Sequence, residues 1–123
     1  MADRITPPFK ATVIIRYEAA YPDPFTVSQG DRLVILVPPE EWPDWRWCEA
    51  QNGEKRWVPL EFLKIEGDFG IMNRAYDSTE LSAESGDLLV VLEIVAGWAW
   101  CRANNNQKGW LPLENLRLDQ GNR

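Results

Sequence analysis

Trp45-Arg-Trp-Cys48 and Trp98-Ala-Trp-Cys101 are the stretches whose comparison decides the fold, because one is a copy of the other 53 positions on. At the same spacing Trp57-Val-Pro-Leu-Glu61 falls on Trp110-Leu-Pro-Leu-Glu114, and eleven of the 21 positions 45–65 are identical to 98–118. Upstream the spacing becomes 56. Gly30-Asp31 then falls on Gly86-Asp87, Leu33-Val34 on Leu89-Val90, and seven of the 25 positions 13–37 match 69–93. The slip lies between "PPEEWPD" (38–44) and "IVAG" (94–97), a length change of the kind a surface loop tolerates. The chain therefore holds two copies of one unit, at 9–65 and 69–118, joined by "EGD" (66–68).

Each copy reads as strand, turn, strand. "RLVILV" (32–37) and "LLVVLEIV" (88–95) are β-branched and aliphatic runs behind a Gly-Asp turn signal. In "WRWCEA" (45–50), Trp45 and Trp47 share one face while Cys48 and Ala50 take the other, a period of two. Asn52-Gly53 supplies a hairpin turn before "KRWVPL" (55–60), and Asn104-Asn105-Asn106 takes that place in the second copy. No segment carries a sustained 3.6-residue apolar period, so the fold class is all-β with about five short strands per copy. A unit this short buries only about 60% of its unfolded surface and is marginal alone. The seven tryptophans compensate, three of them recurring in both copies, and the doubly apolar runs 33–37 and 88–92 suggest that the two units pack together.

Composition narrows the function. The chain of 123 residues is 45% hydrophobic and 26% charged, ordinary for a globular protein. No run of eighteen apolar residues offers a membrane span, and the start "MADRITPPFK" has no apolar signal region, so a cytoplasmic location is expected. A net charge of −6 disfavours nucleic acid as a partner. Histidine is absent, which removes the commonest general base and zinc ligand. No nucleophile–base pair, phosphate-cradling loop, metal cluster or cofactor motif is visible, so an enzyme is not expected.

A series of motifs, in the same order in both copies, resembles the Src homology 3 (SH3) family, particularly its short bacterial variants. "VIIRYEA" (13–19) stands where the family has its Ala-Leu-Tyr-Asp-Tyr strand. "YPDPFTVSQGD" (21–31) looks like its long RT loop, "DWRWCEA" (44–50) like its Trp-Trp strand, and "WVPLEFL" (57–63) like its Gly-Tyr-Ile-Pro-Ser-Asn-Tyr-Val segment. The second copy offers "ELSAESGD" (80–87), "GWAWCRA" (97–103) and "GWLPLENL" (109–116). The resemblance implies two tandem five-stranded small barrels, each with a short 3₁₀ turn, at "LEF" and "LEN". It also implies a non-catalytic module whose aromatic groove takes a proline-rich, polyproline II segment.

Carried over residue by residue, the groove of the first copy comprises Tyr17, Trp45, Pro59 and Phe62, with Tyr21 and Trp42 as further loop rings. Asp23 and Asp44, with Glu40 and Glu41, would attract a basic residue of the peptide. The second copy departs from the pattern, with Asn73 and Asn115 at both tyrosine positions. It keeps Tyr76, Asp77, Glu80, Trp98 and Pro112 as a weaker second site, so ligand affinity is expected mainly in the first copy. Cys48 and Cys101, at the family's small inward position, are expected to be buried thiols in separate barrels rather than a disulfide.

The expected partner is thus a proline-rich or basic peptide segment of another protein. Two other functions compete with it. One is a structural adaptor, or a self-associating pair of barrels with no peptide groove. The other is a reader of methylated lysine, with Trp42, Trp45 and Tyr21 forming an aromatic cage.

Overall fold

The computed structural model describes residues 7–37 and 42–119. Its strands are β1 (Phe9–Val13), β2 (Thr26–Val27), β3 (Arg32–Val37), β4 (Trp45–Glu49), β5 (Lys55–Pro59), β6 (Leu63–Glu66), β7 (Phe69–Met72), β8 (Tyr76–Asp77), β9 (Leu88–Val95), β10 (Trp98–Arg102), β11 (Lys108–Pro112) and β12 (Leu116–Leu118). Single 3₁₀ turns at Leu60–Phe62 (η1) and Leu113–Asn115 (η2) are its only helical elements among the described residues. The protein is all-β, as two SH3-like barrels require: two five-stranded antiparallel sheets carry the fold, and β2 pairs with β8 in a two-stranded ribbon within the unit 24–78.

The strand order differs from two repeats each folding on itself. One sheet runs β5-β4-β3-β7-β6 and the other β11-β10-β9-β1-β12. The first strand of the chain lies between β9 and β12 of the second copy, with Ala11 opposite both Leu89 and Leu118. Its counterpart β7 lies between β3 and β6 of the first copy, with Gly70 opposite both Leu33 and Ile65. The compact units are accordingly residues 24–78, and residues 1–23 with 79–123. They correct the expectation that 9–65 and 69–118 are the folded units: those ranges are the repeats of the sequence, and the repeats exchange their opening segments.

The physical cause is the segment read as a linker. Glu66 pairs with Phe69, so only Gly67 and Asp68 separate β6 from β7, and they form a hairpin turn rather than a tether. Gly67 takes φ +63° at the first turn position, as a type II′ turn requires. Two residues can only return the chain antiparallel beside the strand just left. β7 is thus committed to the sheet of β6, and β1, which would have filled that place, completes the other sheet. The chain passes between the units at Asp23/Pro24 and Ser78/Thr79, within the two RT loops.

Period-two burial then builds each core. In the unit 24–78, Phe25, Leu33, Cys48, Val58, Phe62 and Met72 are fully or almost fully buried. In the other, Ala11, Val13, Leu89, Val91, Ala99, Cys101, Leu111 and Leu116 form one cluster. The three-residue slip between copies has a direct structural meaning. Val95 pairs with Trp98 across Ala96 (φ +50°) and Gly97 (φ +85°), a tight type I′ turn where the first copy has its longer loop.

Candidate functional site

The exchange reassorts the predicted site residues. Tyr17, Tyr21, Asp23, Glu80, Trp98 and Pro112 belong to the unit of 1–23 and 79–123. Trp42, Asp44, Trp45, Pro59, Phe62, Tyr76 and Asp77 belong to the unit 24–78. The expected grouping of Tyr17 with Trp45, Pro59 and Phe62 is thereby corrected, because Tyr17 travels with β1 into the other barrel. The grouping of Tyr76 and Asp77 with Trp98 is corrected for the same reason. The cage built from Trp42, Trp45 and Tyr21 likewise draws on residues of two different units. Glu40 and Glu41 lie outside the described residues.

In the discontinuous barrel, Tyr17 meets Trp98 edge to face, ring centroids 5.8 Å apart at 81°. Pro112 faces Trp98 across the β10–β11 ladder, and all three side chains are half-buried. Tyr17 is placed by its backbone, which exchanges both hydrogen bonds with Ala83 at 2.9 Å, zipping the two arms of the RT loop together. Its hydroxyl donates to Glu80 Oε1 at 2.7 Å. Burial, followed by the hydrogen bond and negative charge of Glu80, holds the phenol protonated well above its ordinary range. Tyr21 is half-buried and Asp23 exposed. The result is a shallow face of two rings and a proline, with edges open to solvent.

The corresponding place in the unit 24–78 is closed. Phe62 is 2% exposed and Tyr76 7%, packed edge to face at 5.5 Å, and Pro59 is fully buried. The Arg74 guanidinium lies 4.2 Å from the centre of the Phe62 ring and covers it. The Tyr76 hydroxyl donates to the Trp57 carbonyl at 3.3 Å. Trp45 remains half-buried beside Pro59, and the Asp44 carbonyl accepts from the Leu60 amide. Asp77 pairs with Thr26 in the ribbon. Trp42 is 53% exposed and stands edge-on to Trp57 at 4.9 Å, Trp57 in turn packing on Trp47 at 5.2 Å.

Sequence reading missed the part played by the two asparagines. Exchange gives each barrel one ring and one amide. Asn115, buried in η2, donates through Nδ2 to the Ile15 carbonyl at 3.2 Å and accepts from the Ile14 amide at 2.8 Å through its own carbonyl. Asn73 donates through Nδ2 to the Glu61 carbonyl at 2.9 Å. In both barrels an amide thus ties the strand arriving from the other repeat to the 3₁₀ turn. Gly109 was also missed. A Cβ there would lie 2.9 Å from the Leu81 nitrogen, so glycine lets the RT arm at Glu80–Leu81 lie against β11. The arm is held by Leu81 donating to the Trp110 carbonyl and Trp110 donating to the Thr79 carbonyl. Copy one carries Arg56 at this position, and that mismatch was the available signal.

Both cysteines are free and fully buried, one in each unit. Burial pushes both thiols up to about 12. A thiolate-selective reagent at pH 8 is therefore expected to label neither cysteine in native protein and both in denaturant. A folded pKa above the unfolded value also makes the thiols destabilising at high pH. Their contribution is intact below about pH 9 and is lost as pH rises from 9 towards 12. Denaturant midpoints measured from pH 8 to 11 should fall, and fall less steeply when Cys101 is replaced by alanine.

Among the described residues no helix is long and apolar enough to cross a membrane, and no three metal-ligating side chains cluster. A scan against protein-family models matches the variant SH3 domain twice, over residues 10–66 and 73–119. These matches follow the sequence repeats, whereas the barrels are cut at the RT loops. Members of such families are in general non-catalytic modules that engage other proteins. With both copies matched and both barrels present, the chain belongs to the variant SH3 domain family as a tandem pair whose repeats exchange their first strands.

Proposed function

We propose that this protein-interaction module binds a proline-rich segment of a partner protein through Tyr17, Trp98 and Pro112 of the discontinuous barrel. The observation that carries the reading is the half-exposed, near-perpendicular ring pair of Tyr17 and Trp98 beside Pro112. Flat ring faces set at an angle accept the ridges of a polyproline II helix, which is already rigid and loses little entropy on docking. At the equivalent surface of the unit 24–78, Phe62 is buried under Arg74 and Pro59 is buried, which leaves Trp45 half-buried without an exposed ring partner from Phe62. This reverses the expected ranking, in which the first copy's Trp45 was the principal contact.

The test is a tryptophan-fluorescence titration with decaproline. Trp98→Ala is expected to weaken binding at least tenfold and Trp45→Ala by less than twofold. The opposite pattern would return the principal groove to Trp45, and no response in the wild type would leave a structural adaptor as the function. The methyl-lysine reading gains no support from Trp42. That cage would join Trp42 and Trp45 to Tyr21, and Tyr21 belongs to the other unit.

A further inference from the structure

Glu80 is the carboxylate that Tyr17 of the proposed groove donates to, and its hydrogen bonds show a use other than attracting a basic ligand. Its Oε1 accepts from the Tyr17 hydroxyl at 2.7 Å, from the Ala20 amide at 2.8 Å and from the Tyr21 amide at 3.3 Å. Three donors converge on one oxygen with two lone pairs, so Oε1 is saturated. A bidentate guanidinium needs both oxygens of a carboxylate, and only Oε2 is left. The backbone of Glu80 is held as firmly. Its amide donates to the Tyr21 carbonyl at 3.2 Å, and the residue bridges to Trp110 on β11. Glu80 thus joins the Tyr17 ring and the 20–21 segment of the first repeat's RT arm to the edge strand β11 of the second repeat, which the exchange brings together from far apart in sequence.

We infer that Glu80 is a positioning residue that fixes the Tyr17 ring and the RT arm, and that it does not form a bidentate pair with a guanidinium of the ligand. The groove, resting on the reading above, therefore recognises neutral proline-rich segments as well as those with a flanking arginine. Its selectivity comes from ring geometry rather than from a charge pair at Glu80.

Glu80→Gln and Glu80→Ala separate the two roles, because glutamine keeps an acceptor oxygen and loses only the charge. The probes are decaproline and decaproline with one terminal arginine, titrated against the full chain, together with amide hydrogen exchange at Ala20 and Tyr21. Expected for Glu80→Gln are affinities within twofold of wild type for both peptides, and unchanged exchange at the two amides. Expected for Glu80→Ala is at least tenfold faster exchange at both amides and an equal loss of affinity for both peptides. A tenfold loss in Glu80→Gln confined to the arginine peptide overturns the inference and makes Glu80 the cation acceptor. Unchanged exchange in Glu80→Ala overturns it as well. Should neither peptide bind wild type, the groove reading fails, and the exchange rates still decide the positioning role.

Discussion

Val13→Asp is expected to expose Cys101, 88 residues away in sequence, and to leave Cys48 of its own repeat protected. Val13 is 1% exposed in β1, opposite Leu116 of β12, in the cluster that contains Cys101. A carboxylate there would stand in an apolar cluster and must be buried or must open the barrel. Substitutions of this kind cost more than about 4 kcal/mol. Small domains have only about 5 kcal/mol or somewhat more to lose, so the open state becomes well populated. Labelling of Cys101 under native conditions should accelerate by about 10³-fold. The reciprocal variant, Met72→Asp in β7, should expose Cys48, since Met72 is 1% exposed and pairs with Leu63 in the other sheet. Peptide mapping of the labelled sites reads both results. Cys48 reacting in Val13→Asp and Cys101 in Met72→Asp would mean that each repeat folds on itself and that the exchange is absent.

The second large effect is expected from the smallest change. Gly109→Ala adds one methyl group, which would lie 2.8 Å from Leu81 Cγ, 2.9 Å from the Leu81 nitrogen and 3.0 Å from the Glu80 carbonyl carbon. A leucine side chain can turn aside, but the two backbone atoms cannot move without breaking the Leu81–Trp110 and Trp110–Thr79 hydrogen bonds at 3.1 and 2.8 Å. Overpacking at such a point costs about 1–3 kcal/mol. For a unit of this size that lowers Tm by about 4–8 °C for each kcal/mol. Because the displaced arm carries Glu80, the Tyr17–Glu80 hydrogen bond should loosen and decaproline affinity fall with stability. Gly53→Ala is the contrast. Its φ of +89° makes alanine strained, but nothing lies within 4 Å of the added carbon. It should cost less, about 1 kcal/mol, and leave peptide affinity unchanged. Equal melting temperatures for Gly109→Ala and wild type would show that the RT arm does not depend on this contact.

These two residues mark the limit of what could be read from the chain alone. Val13 was placed in a strand by its motif, and its barrel was not legible. Strands β1 and β7 are equivalent members of the two repeats, and a period-two pattern states which face is buried without stating which sheet receives it. The clue was the length of "EGD". Read as a tether it joins two separate domains, but with Glu66 and Phe69 already paired it leaves two residues, enough only for a hairpin. Gly109 was visible as a difference from Arg56, but only the packed arm shows which backbone it admits. The site behaved in the same way. Tyr17, Trp98 and Pro112 were each named from their motifs, yet Tyr17 was assigned to a different groove from the other two. Phe62 was named correctly as a ring and lies beneath Arg74, a contact with no sequence signal.

What the amino-acid order determined by itself is local. Alternation, turn residues and the tryptophan-rich repeats dictate short antiparallel strands, because these depend on residues close together in the chain; the two 3₁₀ turns and the two inward thiols followed from the family resemblance. What only the tertiary structure decided is which repeat lends its first strand to which sheet, and so which rings face each other. That choice is between pairings of nearly equal local energy. It is made by the geometry of a two-residue turn and by backbone contacts that form once the exchanged strands are in place.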